Sequence, residues 1–294
     1  MSSKIEWTDA TWNPVVGCTR VSAGCQNCYA ERMANRLAQN PATPEYVGLA
    51  ENGRWTGVVK CLPERLGQPL RWRKPKRIFV NSMSDLFHEG VPCWMVDKVF
   101  AVMAIRQQHS FMILTKRPGA MCAYVNGLKQ RADEIAEAAM TLPIYWPDAD
   151  NQFDYVADMI RREPLPNVWL GVSVENQQTA DERIPWLLKT PAAVRFVSCE
   201  PLLGPVDLSA WIGDIPLPMP FGLRVSAPPD LDWVIAGGET GPGARPAHPD
   251  WFRGLRDQCA AASVPFFFKK HGAGNDSRLL DGVEHNAYPE GDHA

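Results

Sequence analysis

Three cysteines within eleven residues, Cys18, Cys25 and Cys28, constrain this chain more than any other feature. They stand in the spacing C-x6-C-x2-C, bracketed by Gly17 and Gly24, in a loop rich in Gly, Ser and Asn. Such a loop lets several sulfurs converge on one guest without a regular backbone ladder competing. Thiolates are soft ligands suited to zinc and to iron–sulfur clusters. Three readings compete. A disulfide framework is disfavoured, since eight cysteines in 294 residues is a low density and five of them stand alone. Structural zinc takes four protein ligands, and the next Cys or His along the chain are Cys61 and His88, so zinc needs a distant fourth ligand. An iron–sulfur cubane held by three cysteines leaves one iron open to a small molecule, which is a catalytic arrangement. The lone Cys61, Cys93, Cys122, Cys199 and Cys259 read as small buried hydrophobes.

The rest of the chain alternates apolar runs with amphipathic segments. An irregular strand at 11–16, weakened by Pro14, delivers Cys18, and Ala30, Met33, Ala34 and Leu37 recur at helical spacing directly after the cysteines. Further strands are expected from Arg77, at 111–114, from Val168, and at 194–198, 231–236 and 265–268. Helices are expected at 94–107, 119–128, 180–189 and 249–262. Stretches 41–76, 129–166 and 204–230 read as insertions, the first with a short strand at 57–60 and a helix near 64–72, the second with the aromatic, acidic section Tyr145-Trp146-Pro147-Asp148. This alternation predicts an α/β fold: a parallel sheet with right-handed crossovers, closed into a full or partial TIM-like β/α barrel over 1–272, then a loosely ordered polar tail over 273–294. In such barrels the loops after the carboxyl ends of the strands build the site. Here those ends carry Cys18, Ser82, Asp85, Lys116, Ser173, Glu175, Glu200, Glu239 and Lys269.

Composition adds bounds. A chain with 45% hydrophobic residues can bury a barrel-sized core, and a formal net charge of -3 exerts no global pull on nucleic acid. No apolar run approaches the roughly 18 residues of a membrane span, and Met1-Ser2-Ser3-Lys4 lacks an apolar signal core, so a cytoplasmic protein without a membrane partner is expected. Gly237-Gly238 lacks the further glycine and the lysine of a phosphate-binding loop. His88, His109, His248 and His271 show no metal-ligand spacing.

A three-cysteine loop after the first strand of a β/α barrel, with the aromatic Tyr29 directly after the third cysteine, resembles the radical S-adenosylmethionine superfamily. The wider set of Gly17-Cys18 through Glu31, Asn81-Ser82-Met83-Ser84-Asp85-Leu86-Phe87, Ser198-Cys199-Glu200-Pro201-Leu202-Leu203-Gly204-Pro205, Gly237-Gly238-Glu239 and Phe267-Phe268-Lys269 spans most of the chain. It is similar to a phage-associated three-cysteine-motif family within that superfamily. Two departures stand out. The usual loop is C-x3-C-x2-C, three residues shorter, and the Gly-Gly-Glu expected near the second strand is absent there, with Ser82, Ser84 and Asp85 as substitutes.

The resemblance implies that Cys18, Cys25 and Cys28 hold a 4Fe-4S cluster and that S-adenosyl-L-methionine chelates the remaining iron. An electron from a donor such as flavodoxin or ferredoxin then cleaves it to a 5′-deoxyadenosyl radical, which abstracts hydrogen from a substrate in the barrel. It places Tyr29 near the adenine, Ser82, Ser84 and Asp85 near the methionine amino group, and Ser173 and Glu175 near the ribose. Lys116, Glu200, Glu239 and Lys269, with Arg117 and Arg245, are then candidates for substrate contact. The phage association of the resembled family, together with Lys116-Arg117 and Lys269-Lys270 at the rim, suggests a nucleic-acid base or nucleotide as substrate, as in phage DNA modification or repair. The alternative is a non-catalytic iron–sulfur or zinc protein that binds nucleic acid.

Overall fold

Among the described residues seven apolar runs pair in parallel because each is buried on both faces, which an all-parallel sheet requires. They are β1 (Ala10–Trp12), β2 (Arg77–Val80), β3 (Ser110–Thr115), β4 (Val168–Ser173), β5 (Val194–Cys199), β6 (Trp233–Ala236) and β7 (Phe266–Phe268). Their order across the sheet is their order along the chain, and every neighbouring pair is parallel. The structure is a computed structural model and describes residues 5–142, 149–162, 164–213 and 230–289. Tyr145-Trp146-Pro147-Asp148 and most of the 204–230 stretch lie outside the described residues.

Alternation along the strands separates two cores. Ile78 and Val80, Phe111 and Ile113, Val168 and Leu170, Val234 and Ala236 face the helices. Phe79, Met112, Trp169, Phe196, Trp233, Ile235 and Phe267 face the other way and gather around Trp7. The Trp7 ring lies 4.8 Å from Phe79 on β2 and 6.2 Å from Phe196 on β5, centroid to centroid. In a flat sheet those strands would stand about 14 Å apart, three spacings of about 4.8 Å. The sheet therefore curls around the indole. Among the described residues no ladder joins β7 to β1, so the expected barrel is the partial one, a half-barrel.

Among the described residues there are seven helices: α1 (Tyr29–Leu37), which packs against Tyr46, Leu49 and Leu62 of the first insertion, and α2 (Cys93–Ile105), α3 (Pro118–Asn126), α4 (Ala132–Met140), α5 (Ala149–Arg161), α6 (Gln177–Leu188) and α7 (Pro249–Ala261), which cover the convex face or extend it. The 129–166 insertion is a helical layer, since α4 and α5 pack on each other and on α2. This explains why α2 is buried along Met95–Asp97 and from Val99 through Ile105 rather than on one stripe.

The first insertion differs from expectation for a local reason. Pro63 and Pro69 each open a single 3-10 turn, Pro63–Arg65 and Pro69–Arg71, in place of a helix near 64–72, because Pro69 has no N–H to continue the ladder. The 11–16 strand splits at Asn13-Pro14, and Val15–Val16 pairs antiparallel with Lys60–Cys61. The tail is ordered through 289: it forms a hairpin, Leu279–Leu280 with Val283–Glu284, and then pairs with β7. Among the described residues no helix is long and apolar enough to cross a membrane.

Candidate functional site

One cavity of about 230 Å3 opens at the carboxyl ends of the strands. Cys18, Cys25, Cys28, Tyr29, Ser82, Ser84, Asp85, Lys116, Ser173, Glu200, Glu239 and Lys269 all line it. Arg117 lines it too, whereas Glu175, whose carboxylate is fully buried just behind the wall, and Arg245, which is turned onto Glu239, do not.

The cysteine loop forms one side of this cavity and is braced by three buried carboxylates. Glu31 on α1, 1% exposed, accepts both Nε (2.7 Å) and Nη2 (2.5 Å) of Arg20 and the Trp55 amide at 3.0 Å. Glu175, after β4, accepts the Ser22 hydroxyl at 2.8 Å and pairs with Lys116 and Arg183. Gly24 is needed there, since a Cβ at that position would fall 2.5 Å from the Glu175 side chain. Glu239, after β6, accepts Asn27 Nδ2 at 2.8 Å and a two-pronged contact from Arg245, whose Nη2 also reaches the Ala23 carbonyl at 2.9 Å. Burial alone would raise the Glu175 and Glu239 carboxyls. The Lys116 and Arg183 charges outweigh it at Glu175, and the Arg245 and Asn27 hydrogen bonds at Glu239, so both sit below the ordinary glutamate range. The longer segment between Cys18 and Cys25 is therefore not slack: Thr19, Arg20 and Ser22 each tie it to neighbouring side chains.

The three cysteines are free thiols in the described residues. Cys28 stands at the N-cap of α1 without a side-chain cap hydrogen bond, and the positive end of the helix there favours thiolate. The Cys18 thiol donates to the Thr19 carbonyl at 3.4 Å, and Arg117 Nη1 approaches its sulfur to 3.8 Å. Burial nevertheless pushes Cys18 up to about 12, with Asp85 adding to the rise, and pushes Cys28 up as well. A bare thiolate is costly here, and a bound metal centre removes that cost because a coordinating thiol is deprotonated outright. Among the described residues no three His, Cys, Asp or Glu side chains are gathered as ligands of a single metal ion. A cubane asks for something different, one thiolate on each of three irons around a shared cavity. Three cysteines on one cavity wall suit that demand.

Asp85 is already saturated. Its Oδ1 accepts the Phe87 amide (3.1 Å) and the Thr115 hydroxyl (2.7 Å), while Oδ2 accepts the Lys116 amide (3.0 Å) and Arg117 Nη1 (3.1 Å). It ties the ends of β2 and β3 together. Ser84 donates to the Val15 carbonyl at 2.8 Å and Ser82 to Asn13 Oδ1 at 3.2 Å, so both fix the strand-end backbone. The Tyr29 hydroxyl donates to the Ser82 carbonyl at 2.5 Å, while its ring stays 44% exposed beside Cys28. Ser173 is buried at the end of β4.

Away from the loop, Glu200 Oε1 lies 3.0 Å from Lys269 Nζ, and its Oε2 accepts the Trp7 indole N–H (3.3 Å) and the Ser198 hydroxyl (3.2 Å). Glu6 stands 3.9 Å from Lys269 and 2.8 Å from Lys270. Burial works against charge on Lys269, but Glu200 and Glu6 outweigh it and raise the ammonium. Sequence reasoning missed Trp7, Thr19, Arg20, Ser22, Asn27 and Glu31. The available signal was density: polar side chains crowd residues 19–31, more than an exposed loop of no consequence requires.

A family model described as a protein of unknown function (DUF5131) matches residues 2–289. No curated protein and no solved structure shows a significant match.

Proposed function

This chain belongs to the DUF5131 family, and we propose that it is a radical S-adenosylmethionine iron–sulfur enzyme whose three cysteines hold the cluster. The observation that carries the reading is the placement of Cys18, Cys25 and Cys28 on one wall of the cavity at the carboxyl ends of a parallel half-barrel. When bound, the cluster and S-adenosylmethionine would supply a 5′-deoxyadenosyl radical, generated by one electron, that takes a hydrogen atom from the substrate. The chain's own residues do the rest. Cys18, Cys25 and Cys28 serve as thiolates, and the carboxylate braces hold their loop in place so that binding costs little reorganisation. Tyr29, anchored at its hydroxyl, offers a fixed aromatic face next to Cys28, suited to a planar base. The apolar lining of Ile5, Trp7, Phe79 and Leu114 would disfavour water beside a reactive species and so limit side reactions. Lys116, paired with Glu175, and Lys269, paired with Glu200, line the cavity and are the ammonium groups that an anionic substrate such as a nucleotide would meet.

Anaerobic reconstitution tests this directly. The expected result is a brown protein with about four irons per chain that releases 5′-deoxyadenosine from S-adenosylmethionine under dithionite. One zinc per chain, with no iron uptake and no cleavage, would overturn it in favour of a non-catalytic nucleic-acid-binding protein.

A further inference from the structure

Arg117 opens the turn from β3 into α3, and its guanidinium reaches back to the cysteine loop. Nη1 lies 3.1 Å from Asp85 Oδ2 and 3.8 Å from Cys18 Sγ. Nη2 donates to Thr19 Oγ1 at 2.6 Å and to the Thr19 carbonyl at 3.5 Å, and Nε donates to Glu89 at 3.0 Å. An arginine has five N–H donors in a rigid fork, and these five contacts commit all of them. The side chain is only 11% exposed. No donor is left for a substrate, so the contact at Cys18 is the one with chemical consequence. Its aim is set from both sides. The Gly90 amide donates to His88 Nδ1 at 2.9 Å, which leaves the ring proton on Nε2, directed at Thr19 Oγ1 2.9 Å away.

Resting on the cluster reading above, we infer that Arg117 sets the redox poise of the metal site through its N–H···S contact with Cys18. Reduction adds one electron and no proton to the site, making it more negative. A hydrogen bond to a ligand sulfur and an adjacent positive charge both favour that state and raise the potential. Arg117 is in this sense a positioning and tuning residue, and it touches no reacting atom.

The test is a potentiometric titration of the reconstituted cluster, followed by its EPR signal. Arg117→Gln removes charge and bond, and the equilibrium constant for reduction should fall about tenfold, a shift of 59 mV to more negative potential for one electron. Arg117→Lys keeps the charge and should shift by less. A purely structural role would lower melting temperature and iron content and leave the potential of the surviving clusters where it was; that outcome in both variants overturns the inference. Should neither variant retain a cluster, wild-type protein carrying 15N-guanidino-arginine decides, because pulsed EPR of the reduced cluster should then show a 15N coupling. Its absence overturns the inference too. Wild-type protein that assembles no iron–sulfur signal at all sinks the cluster reading itself, a result distinct from an unmoved potential.

Discussion

What a carboxylate can still accept depends on which of its lone pairs are taken, and at Asp85 four donors already take them. Its position after the second strand suggested an acceptor for the methionine ammonium; its geometry makes it the post to which Arg117 and the end of β3 are tied. Asp85→Ala should therefore cost about 1–3 kcal/mol of stability, because the Thr115 hydroxyl and the Phe87 and Lys116 amides lose their acceptor while Arg117 keeps only Glu89 as a carboxylate partner. Cofactor affinity per loaded site should change little. Thermal melts beside calorimetric titration of S-adenosylmethionine separate the two roles: a loss of affinity of tenfold or more with an unchanged melt would restore the ammonium assignment. The cysteines divide on similar grounds. Cys18→Ala, Cys25→Ala or Cys28→Ala should each abolish iron uptake, measured as iron per chain after reconstitution. Cys61→Ala and Cys93→Ala should leave it intact, because neither thiol lines the cavity. Equal loss from Cys61→Ala would mean a different ligand set.

At the scale of elements, the cysteine loop behaves as a clamped part of the sheet. Glu239 holds it from β6 through Asn27 and Arg245, and its depressed pKa gives the clamp a pH dependence of definite sign. A carboxylate whose folded value lies below its ordinary 4.5 contributes in full above 4.5, and the contribution is lost as pH falls below that through the folded value. The hydrogen-exchange protection of the amides of residues 22–28, taken relative to the intrinsic rate at each pH, should fall as the metal-free protein is acidified through that window. Glu239→Gln should exchange fast already at neutral pH and respond less to acid. An acid response equal to that of the wild type would detach Glu239 from the loop. The strands behind this clamp were legible in the sequence because burial on both faces leaves continuous apolar runs: the strand expected at 111–114 is Ser110–Thr115, and that expected at 265–268 is Phe266–Phe268. The clamp was not legible. Asn27 and Glu239 stand 212 residues apart, and an ion pair or hydrogen bond at that range leaves no period in the chain. Strand-end position put Glu175 and Glu239 on the rim but could not say which way each carboxylate turns, and both turn toward the loop. The helix expected near 64–72 fails for another reason, since the stretch is broken into the turns Pro63–Arg65 and Pro69–Arg71 and the Pro69 ring does not allow a helix to propagate.

Across the whole molecule, an open half-barrel leaves its last strand as an edge, and bare edges recruit other chains. The C-terminal segment covers it. The Phe268 amide donates to the His285 carbonyl at 2.8 Å and the Ala287 amide to Phe266 at 3.3 Å, while the Trp233 indole donates to the Ala287 carbonyl at 2.9 Å. Tyr288 then packs 5.1 Å from the Trp233 ring and 5.6 Å from Phe267, with the Arg77 guanidinium 4.2 Å over its own ring. Arg77 and Trp233 begin β2 and β6, so this plug sits at the amino ends of the strands, opposite the cavity. In folds of this kind the carboxyl-end loops carry the chemistry and the other end carries stability. Tyr288→Ala should accordingly cost about 2 kcal/mol, the worth of a partly buried aromatic, and lower the melting temperature by roughly 4–8 °C. Iron content and cleavage of S-adenosylmethionine should hold at wild-type levels below the melt. Ending the chain at Asp281 should lower the melting temperature further and promote association, seen in light scattering, because it bares both the β7 edge and the aromatic floor. A Tyr288→Ala protein that keeps its melting temperature but loses its iron would show that the two ends of the half-barrel are coupled, and that the aromatic layer around Trp7 transmits strain to the cysteine loop.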